Sequence, residues 1–294
     1  MLRMKKRLAV VVGGWHFPLH FYRAVAQQRV PEGWEVELFC VSHRDPKYSK
    51  EEKQEDLAKL GWSYRELFDR ILYQDFATPE KLRDLGWHYK EYPNTIGDWG
   101  MTNQWLGEHE YKQYDMLFIS HDDNFILNDR LFIDLLAGDP EWLVLTNSKG
   151  SRIPWRDRIR RIGKTIDIRG SFEFIKREAL DMMGGSFDLS TTTLNREGEV
   201  YSAKDGAELR GWNNMTRSFK EFFDTRGLSD KVVALSPYYR VSEYCIEGER
   251  GFISASQERN KRNKVSEDKG LKWINSIYDK RRFPWANPSA TPRD

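Results

Sequence analysis

Cysteine is scarce in this sequence: Cys40 and Cys245 are the only two, far apart and each in an apolar or mixed strand-like setting. That excludes a disulfide framework and any zinc spacing, and points to a reducing, intracellular setting. Long apolar runs are missing as well, and no stretch approaches a membrane span. The basic start MLRMKKR leads into Leu8–Val12, which is too short for the apolar part of a secretory signal. Gly13-Gly14-Trp15 ends that run without a cleavage-type site. The reading is a cytoplasmic chain with no membrane span. Charge of one sign is also lacking: 47 Lys and Arg stand against 45 Asp and Glu, a net +2. A dedicated nucleic-acid binder has a different footprint. Histidine stops early, since all six (His16, His20, His43, His88, His109 and His121) lie at or before residue 121 of 294.

Aromatic residues are abundant, with 11 Trp, 13 Tyr and 16 Phe, or 14% of the chain. Exposed Trp and Tyr faces suit flat partners such as sugar rings or bases, although most aromatics in any chain are core or interface material.

The β-branched run Leu8–Val12 predicts a buried strand. Helical spacing follows from Leu19 to Gln28, Pro31 and Gly33 interrupt it, and a second strand runs from Trp34 to Val41. This strand–helix–strand unit predicts a parallel sheet. Residues 49–92 read as helical and charged, with two similar segments, LAKLGWSYREL and LRDLGWHYKEY, each closed by a glycine (Gly61, Gly86). A helix is expected from about Trp99 to Glu110, a strand over Met116–Ser120, a helix over Asp129–Leu136 and a strand over Trp142–Thr146. Past residue 255 the chain reads as a loosely attached basic tail.

At the end of the third strand stands His121-Asp122-Asp123-Asn124. Adjacent carboxylates at a strand's carboxyl end suit a hard divalent cation, Mn²⁺ or Mg²⁺, which prefers carboxylate oxygen and keeps water or phosphate elsewhere. They also suit general acid/base work. Asp and Asn equally build turns and start helices, so the four residues on their own read as a turn as well.

Upstream, PNTIGDWGMTNQW places Asn94, Gly97 and Asn103 in order before the strand. Downstream, GSFEFIKREALDMMGGSFD spans residues 170–188. These three segments resemble those of the nucleotide-sugar glycosyltransferases of GT-A fold, in particular the family-2-like group, and the resemblance covers roughly residues 8–215. It implies an α/β fold: a Rossmann-type, open, mixed or mostly parallel sheet flanked by helices, with a C-terminal tail. The expected division is a catalytic domain over 1–254 and a tail over 255–294. Within the domain, residues 1–125 form the nucleotide-sugar half and 126–254 the acceptor half.

The implied activity is transfer of a sugar from a nucleotide-sugar donor, uridine-based by resemblance, with a divalent cation offsetting the charge of the leaving diphosphate. The resemblance makes Asp123 the first metal ligand with Asp122 beside it. His121 departs from the usual first acidic residue and stands near the ribose. Donor contacts are expected from Gly13, Gly14, Trp15, Asp45, Asn94, Gly97, Asn103, His121 and Asp122. Gly13-Gly14 allows close backbone approach and Trp15 offers a stacking face, though a tight turn and a core indole explain them too. Many enzymes of this fold add a late metal-ligating histidine, which this chain does not offer. An inverting transfer needs a carboxylate base on the acceptor side, for which Asp205, Glu208 and Asp188 are candidates.

The acceptor is open between a glycan and a modified DNA base. Basic runs over 152–169 and 258–264 suit DNA, or the donor diphosphate, or simply a solvated face. A nucleotidyltransferase shares strand-end carboxylates, yet Gly13-Gly14-Trp15-His16 lacks the cation of a triphosphate loop. A sugar- or nucleotide-binding protein without turnover is the remaining alternative.

Overall fold

Leu8 to Val12 can be apolar at every position because both faces of their strand are covered. In the computed structural model, which describes residues 5–43, 75–93, 97–138, 140–148, 172–188, 222–236 and 242–246, these residues belong to β1 (Lys6–Gly13). Leu8, Val10 and Val12 enter one hydrophobic cluster, with Phe118, Phe172, Phe174 and the α1 helix (Leu19–Ala26). Ala9 and Val11 enter a second, with Trp99, Trp105, Leu117 and Ile175. The two-residue side-chain period of a strand thus divides one apolar run between two cores.

The remaining elements follow in order: β2 (Trp34–Ser42), α2 (Pro79–Asp84), β3 (Trp87–Glu91), α3 (Gly97–Glu108), β4 (Met116–His121), β5 (Phe125–Ile126), α4 (Leu131–Leu136), β6 (Val144–Ser148), β7 (Phe172–Lys176), α5 (Arg177–Met182), β8 (Val232–Ser236) and β9 (Cys245–Ile246). Seven strands form one sheet in the order β3-β2-β1-β4-β7-β6-β8, and β5 pairs with β9 apart from it. Neighbours run parallel except at β7, which opposes both β4 and β6. This is the open, mixed and mostly parallel sheet the sequence predicts. No helix among the described residues is long and apolar enough to cross a membrane.

One expectation is corrected. Of the stretch read as helical, residues 75–92 hold only the short α2 and then a strand. Thr78 caps α2 by accepting from the Lys81 N–H at 3.3 Å, and Gly86 at φ +82° stops it in the left-handed conformation. Beyond Gly86, Trp87 is buried and His88 exposed, the alternation of an edge strand. Trp87 also donates its indole N–H to the Tyr22 carbonyl at 3.1 Å, which ties this edge to α1. The other look-alike segment, around Gly61, lies outside the described residues, as does the tail from 255.

Candidate active site

The strand order reverses at β1. From β1 the chain steps outward to β2 and β3, then returns to lay β4 on the other side of β1. Loops leaving the carboxyl ends of β1 and β4 therefore diverge, and the crevice between them is where open α/β sheets take ligands. In the parallel register Gly13 stands beside His121, so the segments from Gly14 and from Asp122 form the two walls.

The wall after β4 is a tight turn. Asn124 is fully buried, and its amide donates to the Ser120 hydroxyl at 2.9 Å and to the His121 carbonyl at 3.2 Å.

Asp122 turns inward and is only 1% exposed. Its Oδ2 accepts from the backbone N–H groups of Trp15 at 2.9 Å, His16 at 2.9 Å and Phe17 at 2.7 Å, and from the Tyr22 hydroxyl at 3.1 Å. Its Oδ1 lies 3.2 Å from the same His16 nitrogen. Successive N–H groups converging on one point make an anion-binding nest, and here the anion is the protein's own carboxylate. Phe17 adopts φ +53° to complete it, a left-handed conformation costing on the order of 1–3 kcal/mol for a buried aromatic. Burial pushes the Asp122 carboxyl up to about 7. The N–H donors of Phe17 and His16 oppose that rise, and the neighbouring Asp123 charge adds to it. Burial, and then the Asp122 charge, push the Tyr22 hydroxyl well up too. In this structure the Asp122 oxygens are engaged with the β1–α1 loop and with Tyr22.

Asp123, the next residue of the turn, is half-buried. Across the crevice Trp15 is 39% exposed, and its ring lies 4.9 Å from that of His43, tilted by 39°. The bareness of Gly14 serves packing. A Cβ there would come within 2.8 Å of Phe17 Cε1 and 2.9 Å of Cys40 Sγ. Gly13 is the last residue of β1.

Asn103 lies on α3. Its Nδ2 donates to the Phe187 carbonyl and its Oδ1 accepts the Phe187 N–H, both at 2.9 Å. Both ends of the amide are engaged by backbone, so Asn103 clamps α3 to the Gly-Gly-x-Phe-Asp segment. Phe187 packs edge-on against Trp99 at 4.5 Å, in the first turn of a helix that starts at the carboxyl edge with Gly97. Asp188 follows directly and is exposed. Asp45, Asn94, Asp205, Glu208 and the basic runs over 152–169 and 258–264 lie outside the described residues.

Sequence reasoning missed Tyr22, Phe17 and His43. Asn124 was legible as part of a turn, whereas Tyr22 and Phe17 matter only through a contact across some hundred residues.

The chemistry available is one half-buried carboxylate after β4 and an exposed indole after β1. Among the described residues no group of three or more His, Cys, Asp or Glu is placed to hold a metal ion. Such a donor set fits a hard cation that arrives with most of its ligands, as Mg²⁺ does when it keeps water and substrate phosphates.

No protein-family model matches the chain, and no curated protein matches it. Among solved structures it is similar to a mannosyltransferase from Pyrobaculum calidifontis in complex with GDP-mannose and Mn²⁺, with 17% identity and a TM-score of 0.44 over 97% of this chain and 73% of that one. Residues 1–349 of Staphylococcus aureus TarS give 14% identity and a TM-score of 0.42, over 97% and 74% of the two chains. Glucosyl-3-phosphoglycerate synthase from Mycobacterium tuberculosis, with Mn²⁺, UDP and glucosyl-3-phosphoglycerate, gives 12% and 0.43, over 95% and 80%.

Proposed function

We propose that the chain is a GT-A-type glycosyltransferase that moves a sugar from a nucleotide-sugar donor to an acceptor hydroxyl. The observation that supports this reading is the strand-order reversal, where the half-buried Asp123 follows one strand and the exposed Trp15 follows the other. Trp15 and His43 take the nucleobase, with uridine the first base to test. Asp123 faces the diphosphate and would hold the Mn²⁺ or Mg²⁺ that comes with it. That cation supplies positive charge where the leaving diphosphate gains negative charge. Asp188, Asp205 and Glu208 are the carboxylates proposed to take the acceptor's proton. The acceptor is proposed to be a glycan, or a modified DNA base held by the basic runs.

The test is a thermal-shift panel of nucleoside diphosphates with and without Mn²⁺, followed by release of the diphosphate from the matching nucleotide sugar. Stabilisation by one diphosphate that depends on Mn²⁺ is expected. Pyrophosphate release from a nucleoside triphosphate would instead identify a nucleotidyltransferase. Binding without turnover across donors and acceptors would identify a binding protein.

A further inference from the structure

Each end of the β1–α1 loop is held by a different strand. On one side Gly14 donates its N–H to the Val41 carbonyl at 2.8 Å and accepts from the Ser42 hydroxyl at 2.6 Å, both from β2. On the other side the Trp15, His16 and Phe17 N–H groups close on Asp122, beyond the end of β4. Trp15 stands where these anchorages meet, with its ring beside His43 at the end of β2. An exposed indole is a useful stacking platform only when its backbone is fixed beforehand, because ordering it on binding opposes affinity.

We propose that Asp122 is a positioning residue that acts through the backbone of Trp15–Phe17 to hold the Trp15–His43 ring pair as the seat of the donor's nucleobase. Its neighbour Asp123 alone of the two serves the cation. The proposal rests on the glycosyltransferase reading and divides between two adjacent residues what that reading would otherwise share. The Asp122 Oδ2 accepts from three backbone N–H groups and one hydroxyl, and the side chain carries no N–H of its own. The isosteric amide of Asn has no charge and offers one oxygen and two further donors. Asp122→Asn therefore loosens the loop while keeping the side chain's volume.

The experiment titrates UDP, or whichever nucleoside diphosphate stabilises the unaltered chain, by calorimetry at saturating Mn²⁺. It uses the unaltered protein, Asp122→Asn, Trp15→Ala and the double variant. Asp122→Asn and Trp15→Ala are each expected to weaken binding roughly tenfold, the scale of one base–aromatic stack. Acting through one platform, the two together are expected to cost little more than either alone. The Mn²⁺ concentration for half-maximal binding stays unchanged in Asp122→Asn and rises in Asp123→Asn. A merely structural Asp122 would give multiplied losses in the double variant. That result, a shifted Mn²⁺ requirement in Asp122→Asn, or binding equal to the unaltered chain's, overturns the proposal and leaves the glycosyltransferase reading standing. If Asp122→Asn does not fold, Tyr22→Phe replaces it in the same cycle, since it removes one donor to the same oxygen. Failure of the unaltered chain to bind any nucleoside diphosphate removes the reading itself, and the proposal with it.

Discussion

The Asp122 carboxylate and the Phe17 backbone N–H stand 2.7 Å apart although 105 positions separate them in the chain. This bond, with its companions from Trp15 and His16, fixes the loop after β1 from the end of β4. It also places a charge where burial resists charge. The pH dependence that follows has a definite sign. Asp122 sits at about 7, above its ordinary carboxylate value of 3.8, so between those values the folded chain binds a proton the unfolded chain has released. Its stabilising contribution is complete below the unfolded value and is lost as pH rises through about 7, with a slope of at most about 1.4 kcal/mol per pH unit. Thermal unfolding between pH 5 and 8 should show this slope as the difference between the unaltered chain and Asp122→Asn. An identical pH profile in both would rule it out.

Asp123→Ala separates function from stability. The side chain is half-buried, so unfolding free energy is expected to move by only about 0.5 kcal/mol. Mn²⁺-dependent release of the nucleoside diphosphate is expected to fall on the order of a hundredfold or more. Turnover at the original rate would exclude Asp123 from the chemistry.

Gly14→Ala tests the packing under the loop. The new methyl would lie 2.8 Å from Phe17 Cε1 and 2.9 Å from Cys40 Sγ, an overpacking expected to cost about 1–3 kcal/mol. Cys40→Ala removes one of the two obstacles, so the double variant should lose less than the sum of the single losses. Urea unfolding of the four proteins gives the comparison, and simple additivity would mean that the sulfur does not matter.

Asn103→Ala breaks both bonds to the Phe187 backbone. A buried donor and acceptor left unmet cost about 1–3 kcal/mol, read as a lower urea midpoint at unchanged m-value. Asn103→Asp keeps the acceptor but not the donor, and is expected to fall between Asn103→Ala and the unaltered chain.

The elements legible in the sequence are those whose own residues decide the outcome. Leu8–Val12 could only be a doubly covered strand, and Met116–Ser120 announced β4 by the same uniformity. The Asp-Asp pair at its carboxyl end was legible as a place, because strand ends in such sheets face ligands. Its division of labour was not. Whether a carboxylate points in or out depends on the turn that Asn124 closes and on N–H groups delivered by a distant loop. Asn103 was legible as a residue of the motif before the strand by order alone, but its bonds to the Phe187 backbone were visible only in space. Trp87–Glu91 was misread because charged residues and Leu-rich spacing before Gly86 suggested more helix. The conformation of that one glycine ends the period and lets the aromatic alternation take over.

The reversed strand β7 carries a further consequence. Ser148 ends β6 and Phe172 begins β7, and because these strands oppose each other both residues stand on the same rim as His121. The chain therefore leaves β6 and enters β7 on the rim that carries His121, so the sheet itself fixes both anchor points of that connection.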